Sequence, residues 1–306
     1  MQTTPVLAVD WTGLISTDWF NAGNWSGGVP TNATNASIDT AGNAAVVGTT
    51  GAQAADLTVG DANAGALMIQ SGGIVNNTFG IVGNNAGSIG TATVDGAGSS
   101  WINSSDFYVG RGGSGTLVIR NGGVVSDDFG FVGAHQGAIG VVTVDGAGST
   151  WANTSDLLVG DAGNGTLTIR NGGVVIGAFG LLGNESGATG VVTVDGAGST
   201  WTTGSDVYVG FAGKGTLNIR NGGTVSSGVG IVAVNSGSTG AVTVNGAGSG
   251  WTATSDLYLG SGGTATLNIL NGGTVSSAGG SYLGVASGAT GTATVDGPGS
   301  RWISSG

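Results

Sequence analysis

The chain has 306 residues, no cysteine, 67 glycines, three prolines and a formal net charge of −11. Without cysteine it can build neither a disulfide framework nor a thiolate metal site, and its acidic balance sets it against phosphate backbones, so nucleic acid is not an expected partner. Only 8% of its residues are charged, against about 25% in ordinary soluble domains. The apolar residues nevertheless fall in short alternating runs, with no stretch of ~18 that could span a bilayer as a helix.

The opening MQTTPVLAVD lacks the basic start and long apolar middle of a signal peptide. Met1 is therefore read as an artificial start or a fragment boundary. Residues 1–50 stand apart: they carry Trp11, Trp19 and Trp25, two of the three prolines, and WFNAGNWSGGVPTNATNASID (19–39), which does not recur. Unusual terminal units normally seal the end of a repeat array, and 1–50 is expected to be such a cap. The array itself is assigned to 51–306. It comes into register near Asp56, where DLTVG (56–60) matches DFYVG (106–110). Trp101, Trp151, Trp201 and Trp251 then follow at intervals of fifty. Aligned without a gap, 101–150 and 151–200 agree at 33 of 50 positions, which makes repetition the fact from which the architecture follows. RWISSG (301–306) stops inside the next unit, so the chain is expected to be a piece of something longer.

Each unit holds six strand-like words between glycine turns; from 105 they are SDFYVG, GTLVIR, GGVVS, FGFVG, GVVTVDG and GSTW. Within them apolar and polar side chains alternate, Leu117 and Ile119 one way and Val118 and Arg120 the other, which is the period of a half-buried strand. No run of ten residues or more has helical periodicity. The words divide into two similar halves of about 23 and 27 residues. Val109-Gly110 matches Val132-Gly133, and Arg120-Asn121-Gly122 is aligned with Val94-Asp95-Gly96 and Val144-Asp145-Gly146. Three strands and three corners per half describe one coil of a parallel β-helix, so the 50-residue repeat is expected to hold two coils. Asn-Gly and Asp-Gly supply the positive φ that its corners need. A propeller blade would instead have four antiparallel strands.

Repetition also limits the candidate sites. Asp95, Asp145, Asp195 and Asp296, with Asn245 in the same slot, sit in turns, while Asp56, Asp106, Asp156, Asp206 and Asp256 open strands. Copies one unit apart would lie about 9.6 Å from each other, too far to share an ion, and GGSGTLVIR (112–120) lacks the ligands of a calcium-binding nonapeptide. No metal and no cofactor are therefore expected. Asp127-Asp128 is the best carboxylate pair for glycoside chemistry, but adjacent strand residues face opposite ways. His135 is matched by Asn84, Glu185 and Val234 in neighbouring units and reads as a solvated loop residue. The Gly-rich GRGGSGT (110–116) has no Lys-Ser/Thr ending. The chain is thus expected to be non-catalytic. Two rows remain as possible binding features. Tyr108, Tyr208 and Tyr258, with Leu158 interrupting, should form an outward aromatic stripe at two-coil spacing, whose flat rings suit sugars unless a neighbouring loop covers them. Arg120, Arg170 and Arg220 form a basic row that could hold sulfated glycans or pair with nearby aspartates. The tryptophan series reads as corner packing.

In tandem, the words TVDGAGSTW (143–151), SDLLVG (155–160) and GTLTIRNGGVV (165–175), with WSGGVP (25–30) ahead of them, resemble the passenger repeats of bacterial autotransporters and related surface adhesins. The resemblance covers about 20–300. It implies an all-β, right-handed parallel β-helix with three strands per coil, export across two membranes, and display on the bacterial cell surface. It also implies a role in adhesion or aggregation, with a host or matrix glycan or protein surface as partner. The family's outer-membrane contact runs through a C-terminal barrel that these residues do not include. Absence of cysteine suits passage through a narrow pore. A self-associating spacer or matrix unit, and less readily a polysaccharide-active enzyme, remain as alternatives.

Overall fold

A computed structural model describes residues 7–306; the reading of Met1 lies outside them. Each coil lays down three short strands, and each strand pairs in parallel with its counterparts in the coils before and after. Three sheets result, of 12, 11 and 11 strands, wrapped around one internal stack. A representative coil runs from Phe107–Val109 in the first sheet, through Ser114–Arg120 in the second, to Val124–Asp127 in the third. The next runs through Gly130–Val132, Ile139–Asp145 and Thr150–Asn153. Across the described residues the single helix is a 3-10 turn at Ala22–Asn24. At ~4.8 Å per rung the twelve strands of the first sheet make a rod roughly 50 Å long. The all-β parallel solenoid with three strands per coil is the architecture read from the sequence.

The alternating step is visible in the first sheet, where Leu57 pairs with Gly80 and Gly80 with Phe107, steps of 23 and 27. In the second sheet the step is constant from Ala64 to Leu270: Ser114 pairs with Ile89 and Ile139, 25 residues either way. Length differences are therefore absorbed at the corners while the longest strands stay in line. One alignment made from sequence needs correction. Arg120, not Asn121, lies opposite Asp95 and Asp145. The two corner types differ: Asn121 turns at once, with φ 54° followed by Gly122 at 88°, whereas Asp145 is still in its strand and the bend begins at Gly146. That one-residue offset sets the arginine beside the aspartate.

Inward side chains fill the stack. Leu117, Ile119, Val142 and Val144 from the second sheet, Phe107, Val109 and Val132 from the first, and Val125 and Trp151 from the third are all fully buried. In the third sheet each tryptophan lies between valines, Trp151 pairing with Val125 and Val175. The large ring reaches across its own coil to Gly130, where a Cβ would meet the indole and the Asn153 side chain. Gly180 and Gly230 face Trp201 and Trp251 in the same way. Glycine in the FGFVG word is thus a packing requirement set by the tryptophan opposite. The Trp101 series is core, not corner.

At the N-terminal end, Leu7–Asp10 adds the outermost strand of the first sheet, and Trp19 and Val46 exchange backbone bonds with their surroundings at the end of the second. Trp25 packs edge-on against both Trp11 and Trp19, at 5.1 and 4.7 Å between centroids. The buried Asn24 ties the intervening loop by accepting from the Ile15 and Ser16 N–H groups and donating to Asp18 O and Ser16 Oγ. Within 1–50, Thr34–Ile38 and Ala45–Val47 already run as rungs of the first and second sheets.

Candidate functional site

Three-residue strands of the first sheet point two side chains inward and one outward. Register makes the outward residues a single column: Ile81, Tyr108, Phe131, Leu158, Leu181, Tyr208, Ile231, Tyr258 and Tyr282 follow one another across nine coils. All are apolar or aromatic. At about 4.8 Å per rung they form a stripe some 38 Å long. Beside it, two residues earlier in each coil, phenylalanine and aspartate alternate as Phe79, Asp106, Phe129, Asp156, Phe179 and Asp206. Most of the stripe is half-buried, and Tyr282 is exposed.

The aspartates hold this surface in shape. Tyr108, Tyr208 and Tyr258 each donate their hydroxyl to the aspartate two residues before, at 3.0, 3.1 and 3.1 Å. Other carboxylate oxygens accept backbone N–H groups of the next coil, Asp206 from Val229 at 2.9 Å and Asp256 from Gly280 at 2.7 Å. Burial, then the neighbouring Asp106 carboxylate, pushes the Tyr108 phenol up to about 12. Burial likewise raises the Asp156 carboxyl, against the Phe179 N–H that it accepts.

The rings stack mainly on one another. Tyr108 and Phe131 lie 4.7 Å apart at 7°, and Tyr258 and Tyr282 4.9 Å apart at 15°, while Arg111 sits over the Tyr108 ring, 5.5 Å from its centroid. A partner therefore meets ring edges and aliphatic side chains more than open ring faces. A dent of about 230 Å³ on the stripe is lined by Asp56, Phe79, Ile81, Tyr108 and Arg111. A polar groove of about 300 Å³ lies elsewhere, among the loops carrying Gln136, Asn164 and Glu185.

The other sequence candidates fall in separate places. Arg120, Arg170 and Arg220 line up on the second sheet, each 2.9–3.0 Å from the carboxylate of Asp95, Asp145 or Asp195 one coil before. The same aspartates accept from Asn121, Asn171 and Asn221 at 2.7 Å. The Asn121 bond, with Arg120, holds the Asp95 carboxyl below its usual value in spite of some burial. Charge along this row is alternating and matched at contact distance, so it is not a basic strip. Asp127 and Asp128 do face opposite ways: Asp127 is inside the rod, 3% exposed, and Asp128 accepts from Thr154 and Ser155 outside. His135 is exposed on a loop. Among the described residues no three His, Asp or Glu converge as a metal site would require.

Sequence reasoning found Tyr108, Tyr208 and Tyr258, with Leu158 in their slot, but missed the rest of the stripe. The signal was present: once Val132-Gly133 is aligned with Val109-Gly110, Phe131 falls beside Tyr108, and Leu181 and Ile231 follow by the fifty-residue period.

No protein-family description matches the chain, and no curated protein matches its sequence. Among solved structures the chain is similar to a fragment of TibA, residues 55–350, hyper-glycosylated in a reaction catalysed by TibC. The TM-score is 0.42 and the identity 19%, over 97% of each chain.

Proposed function

We propose that this chain is a non-catalytic, rod-shaped attachment region of an autotransporter-like surface protein, carried outside a bacterial cell. The observation that carries the reading is the unbroken apolar and aromatic stripe along the first sheet. A feature repeated at nine successive rungs favours many weak contacts over one strong site, and contacts held at fixed spacing on one rod add as avidity. Its partner is a host or matrix surface, protein or glycan. The stacking of its rings favours apolar protein or lipid-like patches over flat sugar rings. The separation of Asp127 from Asp128 supports a role without catalysis, and the cysteine-free composition suits export.

The test is binding of the purified rod to arrays of matrix proteins and glycans, alongside a Tyr108→Ser/Tyr208→Ser/Tyr258→Ser variant with an unchanged β-sheet circular-dichroism spectrum. The variant is expected to lose at least tenfold in apparent affinity; equal binding would overturn the assignment of the stripe. A second reading, lateral pairing of two rods, is favoured by the stripe's length. It predicts a concentration-dependent rise in light scattering that the same variant abolishes.

A further inference from the structure

In the third sheet, the last inward residue of four successive coils forms a polar column beside the apolar stack: Asn77, Asn103, Asp127 and Asn153. The first repeat shows how such a column is satisfied. Trp101 Nε1 donates to Asn77 Oδ1 at 2.6 Å, Asn77 Nδ2 donates to Asn103 Oδ1 at 2.7 Å, and Asn103 Nδ2 donates to Ser126 O at 3.2 Å. Every link uses an N–H donor, the indole first and then two side-chain amides, and the chain of bonds closes on a backbone carbonyl.

Fifty residues on, the same wiring recurs with one atom changed. Trp151 Nε1 donates to Asp127 Oδ2 at 2.6 Å, and Asn153 Nδ2 donates to Ile176 O at 3.0 Å. The middle link is missing its donor, because Asp127 offers an oxygen where Asn77 offers an NH₂. Asp127 Oδ1 and Asn153 Oδ1, which occupy register-paired positions, are both buried and find no donor among the described residues. Asn153 cannot repair this by flipping its amide, since its nitrogen is engaged with Ile176 O. Its oxygen lies against Gly130 as that of Asn103 lies against Gly80. Two buried acceptors at paired positions cannot bond each other; one hydrogen between them restores the pattern of the previous repeat.

We propose that Asp127 is a neutral carboxylic acid inside the folded rod and donates its Oδ1–H to Asn153 Oδ1, making this rung a built-in proton-binding link between two coils. The surroundings favour the neutral form. The side chains buried inside the rod at these coils, Asn103, Trp151 and Asn153 in the third sheet, Phe107, Val132 and Leu157 in the first, and Leu117 and Ile119 in the second, are all uncharged. The charged groups acting on it are Asp106 and Asp128, both carboxylates. Burial pushes the Asp127 carboxyl up to about 8; the Trp151 N–H opposes this, and the two carboxylates add to it. The folded state therefore keeps a proton that the unfolded chain releases near 3.8. Stability contributed at this rung is complete below that value, declines as pH rises between the two values, and is level above the folded one.

Two measurements on the intact chain decide the matter. Infrared spectroscopy at neutral pH should show the C=O stretch of one protonated carboxyl, lost on Asp127→Asn and lost reversibly at alkaline pH. Absence of that band from the wild-type protein would overturn the proposal, and this readout does not depend on any variant folding. Denaturation midpoints should then be compared across the pH range for wild type and Asp127→Asn, which rebuilds the Asn77 wiring. The wild-type midpoint should fall relative to the variant as pH rises from about 4 to about 8 and run parallel to it above. Curves parallel throughout would overturn it. Asp127→Ser, which keeps an acceptor for the indole as Ser227 does for Trp251, should lose the same pH dependence.

Discussion

Substituting Gly177 by serine should make this rod more stable. Three of the four repeat tryptophans donate their buried Nε1–H to the third-sheet residue 24 positions earlier: Trp101 to Asn77, Trp151 to Asp127 and Trp251 to Ser227, the last at 3.1 Å. The fourth, Trp201, is fully buried and its Nε1 finds no acceptor among the described residues, because position 177 is glycine. A Cβ built on Gly177 comes no closer than 3.4 Å to Ser155 O and 3.6 Å to Phe179 O, and the residue does not have the positive φ that would exclude a side chain. Relieving a buried unsatisfied donor is worth about 1–3 kcal/mol, and replacing a strand glycine adds about 0.4–1 kcal/mol through the unfolded chain. The serine should thus gain about 2 kcal/mol in guanidinium unfolding. A double-mutant cycle with Trp201→Phe isolates the hydrogen bond: in the phenylalanine background the gain should shrink to the glycine share alone. An undiminished gain there, or none in the wild-type background, would refute the reasoning.

Leu117→Ala removes a fully buried side chain from the middle of the stack and should cost about 2–5 kcal/mol, measured by the same unfolding assay. Arg170→Ala breaks a pair whose side chains are 50% and 25% exposed, so the loss should stay below about 1 kcal/mol and shrink further in high salt. Asp39 accepts the N–H groups of Asp61, Ala62 and Asn63 and the Asn63 amide. Against partial burial, these bonds hold its carboxyl below 3.8. Its contribution is present above that value and disappears as pH falls through the folded one, so an acid titration of wild type should converge on that of Asp39→Ala at the acid end.

Much of the architecture could be read in the sequence because a strand's two-residue period and a coil's return length are both written in residue order. Leu117 and Ile119 against Val118 and Arg120, and the 23- and 27-residue halves, needed no knowledge of neighbours. The Arg120 offset was not readable, since Asn-Gly and Asp-Gly look interchangeable as words, yet one bends at its first residue and the other after it. Which of Asp127 and Asp128 lies inside follows from parity with Val125, but the sequence does not show what each then meets. Those contacts come from the coil 24 to 27 residues away. The stripe was half seen for the same reason: Tyr108, Tyr208 and Tyr258 share a repeat phase, whereas Phe131, Leu181, Ile231 and Tyr282 belong to the alternate coil.

Nearly all backbone hydrogen bonds between coils, such as Gly110 N–H to Val82 O and Gly133 N–H to Val109 O, lie along the rod's long axis. A pull applied at its two tips therefore loads those bonds in series and opens the structure from an end, one turn at a time, at modest force. Grip taken along the flank distributes the same pull over many turns at once. For an object held in flowing liquid, where it is gripped would decide whether it peels or holds.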